Sequence, residues 1–268
     1  MVVSSVDITQ KTYKKLVLQV SLNELSFCVI DLITHKVIHT QEILFEKNKV
    51  IEEQLWRAFV DFSILTNSYD EVVVLHNNNL NAFVPTSLFD PSFLASYLQY
   101  NTKVFETDFF AFDELSNYEM NNVYIPYVNM NNFFIDQYGS FDYKHANSIL
   151  VSKLLDLSKN NEERKMFVHV SESHFEIIVL QNQKLHLFNS FEYKTPEDFI
   201  YYILFAAEQL QLNPENFKLE LLGNITVNDV YYNMAFQYIR NASFLDIANN
   251  NNSFTEKENR EHFILLHS

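Results

Sequence analysis

The chain has 268 residues, room for one large core or two modest cores that share an interface, since domains usually run about 100 to 200 residues. Hydrophobic residues at 47% against 20% charged describe a chain that folds, which excludes disorder as its main state. The formal charge of −15 repels phosphate backbones and offers no basic stripe, so direct nucleic-acid binding is not expected.

Read in chain order, the amino-terminal MVVSSVDITQKTYKK has no apolar signal-peptide core, and no later apolar run approaches the roughly 20 residues of a membrane span. A cytoplasmic location is therefore expected. Leu16 to Phe45 reads as three strands, KLVLQV, LSFCVIDL and KVIHTQEILF, joined by the short polar turns SLNE and ITH, for which a meander is the simplest topology. NKVIEEQLWRAFVDFSIL follows with Val50, Ile51, Leu55, Phe59 and Phe62 near helical spacing, and then comes the β-branched run EVVVLH. SLFDPSFLASYLQ is helical in pattern, TKVFETDFFAF and NNVYIPYV read as strands, and KHANSILVSKLLDLSKN is a second helix. The polar run Ser158 to Lys165 is the expected linker, which sets a first half at 1–157 and a second at 166–268.

From Met166 the same order returns: MFVHVS, HFEIIVLQ and KLHLFNSFEY as strands, a helix opened by TPED, then KLELLG. Thr195 suits the N-cap, Pro196 the first helical turn, and Glu197 and Asp198 the positive end of the helix dipole. Leu25, Phe27 and Val29 stand 150 positions before Phe175, Ile177 and Val179 in the same alternating strand, which points to an internal duplication. After Gly223, VNDVYYNMAFQYIR reads as an amphipathic helix and SFLDI as a short strand. IANNNNSFTEKENREHF reads as a polar loop with room for a helical turn, and FILLH follows it.

Cys28 is the sole cysteine, so no internal disulfide and no thiolate zinc site can form, and inside SFCVID it acts as a small core hydrophobe. Gly139 and Gly223 are the only glycines, an unusual poverty for any site that cradles phosphate with backbone amides. His169 and His174 lie close in sequence, and His35 and His39 are four apart but in a strand pattern, so solvated or hydrogen-bonded histidines are expected over a metal site. No GxSxG, GxxxxGK[ST], GxGxxG or HExxH pattern occurs, and Ser148 or Ser190 makes a triad only if geometry supplies partners. Among 25 phenylalanines and 15 tyrosines, Tyr124, Tyr127, Phe133, Phe134, Tyr138, Tyr231 and Tyr232 flank asparagine-rich turns, where they serve either as core or as partner anchors.

A meander, a helix and a further strand, present twice, resembles the ribonuclease H-like halves of the actin, sugar kinase and chaperone ATPase superfamily. Within it the chain looks most like a bacterial family of unknown function, distantly similar to the actin-like proteins of type IV pilus assembly. The resemblance covers nearly the whole chain and implies an α/β fold of two tandem ribonuclease H-like halves, the actin-like ATPase fold, each a mixed sheet with an antiparallel meander and flanking helices. In that superfamily each half opens on a strand, an acidic residue and a glycine-rich hairpin that grips ATP phosphates and organises magnesium. Here VSLNELSFCVID lays Val20 on the acidic position and Leu22 on the first glycine, and VHVSESHFEIIVL lays His169 on the acidic position with Ser171, Glu172 and Ser173 across the glycines. Gly223 and Asn224 stand at the third motif, a glycine pair that packs on adenosine.

Ser21, Asn23, Ser171, Ser173, Gly223 and Asn224 are thus the candidate ligand residues of a crevice between the halves, with no catalytic residue and no metal ligand assigned. ATP with magnesium is the cofactor that the resemblance implies and that these loops disfavour, because phosphoryl transfer rests on positioning and charge neutralisation by metal and backbone donors. The expectation is a non-catalytic pseudo-ATPase module that acts as scaffold or regulatory partner of another protein, the alternative being an actin-like nucleotide-binding protein or ATPase with degenerate phosphate loops.

Overall fold

The computed structural model describes residues 11–159, 162–247 and 254–268; the amino-terminal stretch, two positions of the linker (160 and 161) and most of the asparagine-rich loop (248–253) lie outside the described residues. The chain forms two compact units, one of residues 1–76 with 127–143, the other of 77–126 with 144–268.

The first unit opens on β1 (Lys14–Val20), β2 (Glu24–Asp31) and β3 (Val37–Leu44), continues through α1 (Ile51–Asp61) and reaches β4 (Glu71–His76). The chain then runs through β5 (Asn81–Pro85), α2 (Leu94–Leu98), β6 (Ala111–Leu115) and β7 (Met120–Tyr124) of the second unit. It returns to the first for α3 (Val128–Tyr138) and enters β8 (Asp142–His145). The sheet order is β3-β2-β1-β4-β8, with β1, β2 and β3 antiparallel and β4 parallel to β1. Alternation explains the packing: Leu16, Leu18 and Val20 of β1 and Leu25, Phe27 and Val29 of β2 turn to one face, where Leu55, Ala58 and Phe59 of α1 and Met130, Phe133 and Phe134 of α3 close over them.

The rest of the second unit runs α4 (Ala146–Leu157), β9 (Lys165–Val170), β10 (His174–Gln181), β11 (Lys184–Glu192), α5 (Pro196–Gln209), β12 (Lys218–Gly223), α6 (Val230–Tyr238), β13 (Asn241–Phe244), α7 (Glu256–Glu261) and α8 (Phe263–Leu266). Its large sheet has the order β11-β10-β9-β12-β13, the same sequence of first, second, third, fourth and fifth strands as the other sheet, with the same parallel fourth strand. Met166, Val168, Val170, Phe175, Ile177 and Val179 make its inner face, under Phe199, Ile200 and Ile203 of α5, Ala235 of α6 and Ile239 just after it. Helix α5 begins with the expected N-cap: the Thr195 hydroxyl accepts from Asp198 N–H while Asp198 reaches back, a full capping box. This is the architecture of ribonuclease H-like halves, each a mixed sheet with an antiparallel meander and flanking helices.

Between β5 and β7 the sequence reading is corrected. SLFDPSFLASYLQ yields only the short α2 after two single 3-10 turns, because Asp90 and Pro91 start the chain afresh there. The strand expected over TKVFETDFFAF begins only at Ala111, and β5 and α3 appear where no element was expected. Helix α3 places Phe133 and Phe134 in the core; Tyr124 is buried too, while Tyr127, Tyr138, Tyr231 and Tyr232 pack partly buried against the cores, so this aromatic set fills the interior. Cys28 is buried, and burial pushes its thiol up to about 12, which leaves it inert at neutral pH.

His76 closes β4. Its Nδ1 accepts from Tyr127 N–H at 3.2 Å and its Nε2 donates to Asn131 Oδ1 at 2.9 Å, so the neutral ring is fully used. Burial, opposed in part by Asn131, pushes its pKa down to about 4. Because the folded value lies below the ordinary 6.5, His76 contributes its full stability above pH 6.5 and loses it as the pH falls toward 4, a difference of about 3 kcal/mol. Urea unfolding at steps from pH 7 to pH 4.5 should show His76→Gln losing less stability on acidification than the wild type. Equal losses would mean that His76 does not titrate as described.

Candidate functional site

The two hairpins that should hold phosphate are the turns between β1 and β2 and between β9 and β10. Both are tight, closed by Ser21 N–H to Glu24 O at 3.0 Å and by Ser171 N–H to His174 O at 2.9 Å. In the first turn the Ser21 hydroxyl also accepts from Asn23 N–H and from Glu24 N–H, each at 3.1 Å. The amides that a phosphate would need are therefore already satisfied by the chain's own side chain, as serine does in such turns. Asn23 is further tied by its carbonyl, which accepts from Phe45 N–H at 2.7 Å.

In the second turn Ser171 O accepts from the Tyr193 hydroxyl at 2.9 Å, and Ser173 Oγ lies 3.4 Å from His174 Nδ1. Gly223 and Asn224 sit beside this turn, since Gly223 pairs with Val170 and Asn224 N–H donates to Val170 O at 2.7 Å. Ser171, Ser173, Gly223 and Asn224 thus gather at one end of the second large sheet, while Ser21 and Asn23 belong to the first unit. Gly223 has φ of +86°, and a Cβ there would fall onto the amide nitrogen and carbonyl oxygen of Val170. Strand closure alone demands a glycine at this place.

Register corrects the placing of the acidic positions. Val20 pairs with Leu25 and Val170 with Phe175, which makes Val20 the counterpart of Val170 and His169 the counterpart of Gln19. Val20 and Val170 both point into apolar cores and can present nothing to a ligand. His169 points to the reverse face of its sheet, where Glu176 stands opposite it in register.

Sequence reasoning missed Glu176. It is almost wholly buried; His169 Nδ1 lies 2.9 Å from its Oε2, and His174 Nε2 and the Ser190 hydroxyl lie 3.1 Å and 3.2 Å from its Oε1. Burial alone would raise this carboxyl, but the charge of His174 and the hydrogen bond from His169 outweigh it and hold Glu176 well below the usual range. A charged residue inside the apolar run HFEIIVLQ was the available signal, because a buried carboxylate requires partners. The serine and the histidines meet the carboxylate rather than each other, so no histidine faces the Ser190 hydroxyl and the cluster is no serine–histidine–carboxylate triad.

A second polar group joins β5, β6 and β7 to the start of α4. Asp113 accepts from the Ser148 hydroxyl, from His145 N–H at 2.8 Å and from the Tyr124 hydroxyl at 3.1 Å. Burial raises its pKa, and these donors offset part of that. Asn122 donates to Ser148, Asn81 to Asn122 and Asn147 to Asn81 in one chain of amides. The His145 ring turns to Asn78 and to Asn147 N–H, away from Ser148, so no histidine faces Ser148 either. Among the described residues no group of three or more His, Cys, Asp or Glu side chains could hold a metal ion. What these groups do is fasten strands and a helix.

Two substitutions test this reading. Glu176→Ala should lower the unfolding free energy by about 3 to 5 kcal/mol in urea titrations, the loss expected when a buried ion pair is broken; a cost below about 1 kcal/mol would show that the cluster holds nothing. Gly223→Ala should cost about 2 kcal/mol or more from positive φ and backbone overlap, with or without nucleotide present.

Among solved structures the chain is similar to a Bacteroides thetaiotaomicron VPI-5482 protein described as having an actin-like ATPase fold and unknown function. The TM-score is 0.83 at 20% identity over 98% of this chain and 99% of that one. It is also similar to the PilM-PilN type IV pilus biogenesis complex, at a TM-score of 0.57 and 12% identity over 94% and 96% of the two chains. A third likeness is to the ethanolamine utilization protein EutJ from Carboxydothermus hydrogenoformans, at 0.51 and 7% over 95% and 90%. At these identities the likenesses establish the actin-like ATPase fold. No curated protein matches the sequence. A family model does, over residues 4–242, and the chain belongs to that family, described as protein of unknown function (DUF3822).

Proposed function

We propose that the chain is a non-catalytic actin-like module, a pseudo-ATPase that serves as scaffold or regulatory partner in protein–protein interaction. The observation that carries this reading is the first hairpin, where the Ser21 hydroxyl takes the Asn23 and Glu24 amides that would otherwise meet phosphate. Supporting it, Val20 and Val170 point into cores, Gly223 serves strand closure, and Glu172 would add negative charge in the second turn.

On this reading the halves 1–157 and 166–268 descend from an internal duplication whose ligand loops were lost while its strands were kept. The identical strand order and the constant spacing of 150 between Val20, Leu25 and Val170, Phe175 support that descent. A fold relative, PilM, occurs in a biogenesis complex with PilN, which fits a role in assembly. The module works in the bacterial cytoplasm; a lone buried cysteine suits a reducing compartment, and no described helix is long and apolar enough to cross a membrane.

Thermal unfolding with and without ATP, ADP and magnesium tests the proposal. A ligand at about 100 times its dissociation constant adds roughly 2.7 kcal/mol of stability, a readable shift in Tm. The expected result is no shift. A magnesium-dependent shift that Ser21→Ala or Ser173→Ala removes would overturn the proposal and make Ser21, Asn23, Ser171, Ser173, Gly223 and Asn224 nucleotide ligands.

A further inference from the structure

Among the described residues one face of the small layer of β5, β7 and β6 buries a cluster of Ala82, Val84, Leu98 and Val123. The segment that wraps it is rich in apolar residues, only some of which pack on that cluster. At each step one of two adjacent residues turns inward and its neighbour turns out: Phe89 packs and Leu88 does not, Leu94 packs and Phe93 does not, Val104 packs and Phe105 does not, Phe110 packs and Phe109 does not. The outward residues are exposed by 71%, 57%, 53% and 53%, and Tyr100 by 85%. Summed over the five residues this is on the order of 500 Å² of exposed surface carried by one short segment.

The segment is strongly acidic: positions 86–119 carry Asp90, Glu106, Asp108, Asp113, Glu114 and Glu119 against one cation, Lys103. That one cation shows what the rings accept: the Lys103 ammonium lies 5.0 Å over the Phe105 ring. Asp108 Oδ2 also accepts from Phe105 N–H at 2.8 Å, a bond that fixes the turn carrying Phe105 and Phe109.

From this combination we propose that the outward aromatic residues of segment 88–109 dock a cationic, apolar peptide segment of a partner protein, with lysine or arginine over the rings and aliphatic groups between them. A second copy of this chain, at −15, would bring like charge to an acidic face, and an anionic membrane would do the same. The proposal rests on the interaction-module reading and names the chemistry of its partner. Its test uses no nucleotide, so a nucleotide-dependent shift would count against that reading alone and leave this one to be decided separately.

The test selects a display library of random linear peptides against the full chain, with Tyr100→Ser and Phe109→Ser as variants and Phe236→Ser, an exposed ring of α6, as control. Unchanged Tm values establish that the variants fold. Enriched peptides should carry net positive charge and large apolar residues. They should weaken in salt and bind Tyr100→Ser and Phe109→Ser about tenfold less tightly while Phe236→Ser is unaffected. Failure to enrich any peptide, enrichment of neutral or acidic ones, or equal binding by all variants would overturn the proposal. So would sedimentation showing a dimer that Phe109→Ser dissolves, or binding to phosphatidylglycerol vesicles that Phe109→Ser abolishes, since either assigns the face to another occupant.

Discussion

A tight turn between antiparallel strands leaves backbone amides that need an acceptor, and the nature of that acceptor decides what the turn is for. In phosphate-binding hairpins the acceptor is the ligand, and glycine lets it approach. In this chain the acceptor in the first turn is the Ser21 hydroxyl, which takes Asn23 N–H and Glu24 N–H. Register then fixes the consequences. Once Val20 faces Leu25 and Val170 faces Phe175, both positions belong to the cores, and the residues one step earlier, Gln19 and His169, belong to the opposite faces. Val20 and Val170 therefore present no carboxylate at these strand ends.

The polar groups that the second unit buries do structural work of the same kind. Glu176 gathers His169, His174 and Ser190 across three strands of the meander. Asp113 gathers Ser148, Tyr124 and the backbone of His145, and an amide chain runs on through Asn122, Asn81 and Asn147. Buried polar groups cost stability unless every member finds a partner, so such networks fix which strand and which helix meet. They look like catalytic constellations in composition and differ in connectivity, because the serine hydroxyls donate to carboxylates and no histidine faces them.

Much of the fold was legible because its central strands are compact apolar runs bounded by polar turns and α5 opens on a capped first turn. EVVVLH, HFEIIVLQ and KLELLG became strands with the bounds that their apolar runs suggest, and Thr195 opened α5 as the expected N-cap. The segment from Asn77 to Tyr138 was less legible. Its apolar residues come as adjacent pairs, Leu88 with Phe89 and Phe109 with Phe110, which fit neither the period of a strand nor that of a helix, because a small core accepts one of each pair. Helix α3 was hidden by its asparagines, which favour turns in isolation and are overruled by the packing of Met130, Phe133 and Phe134. At the candidate site the residue types were readable, but the direction of their hydrogen bonds was not, and that direction separates a phosphate cradle from a closed turn.

Amide chemical shifts report this direction residue by residue. In a titration of the full chain with magnesium ATP followed by NMR, the Asn23, Glu24 and Asn224 N–H signals should not move, because their acceptors within the chain stay in place. Saturable shifts of these amides, matched by loss of the Ser21 bonds, would contradict the account and restore the hairpins as a nucleotide site.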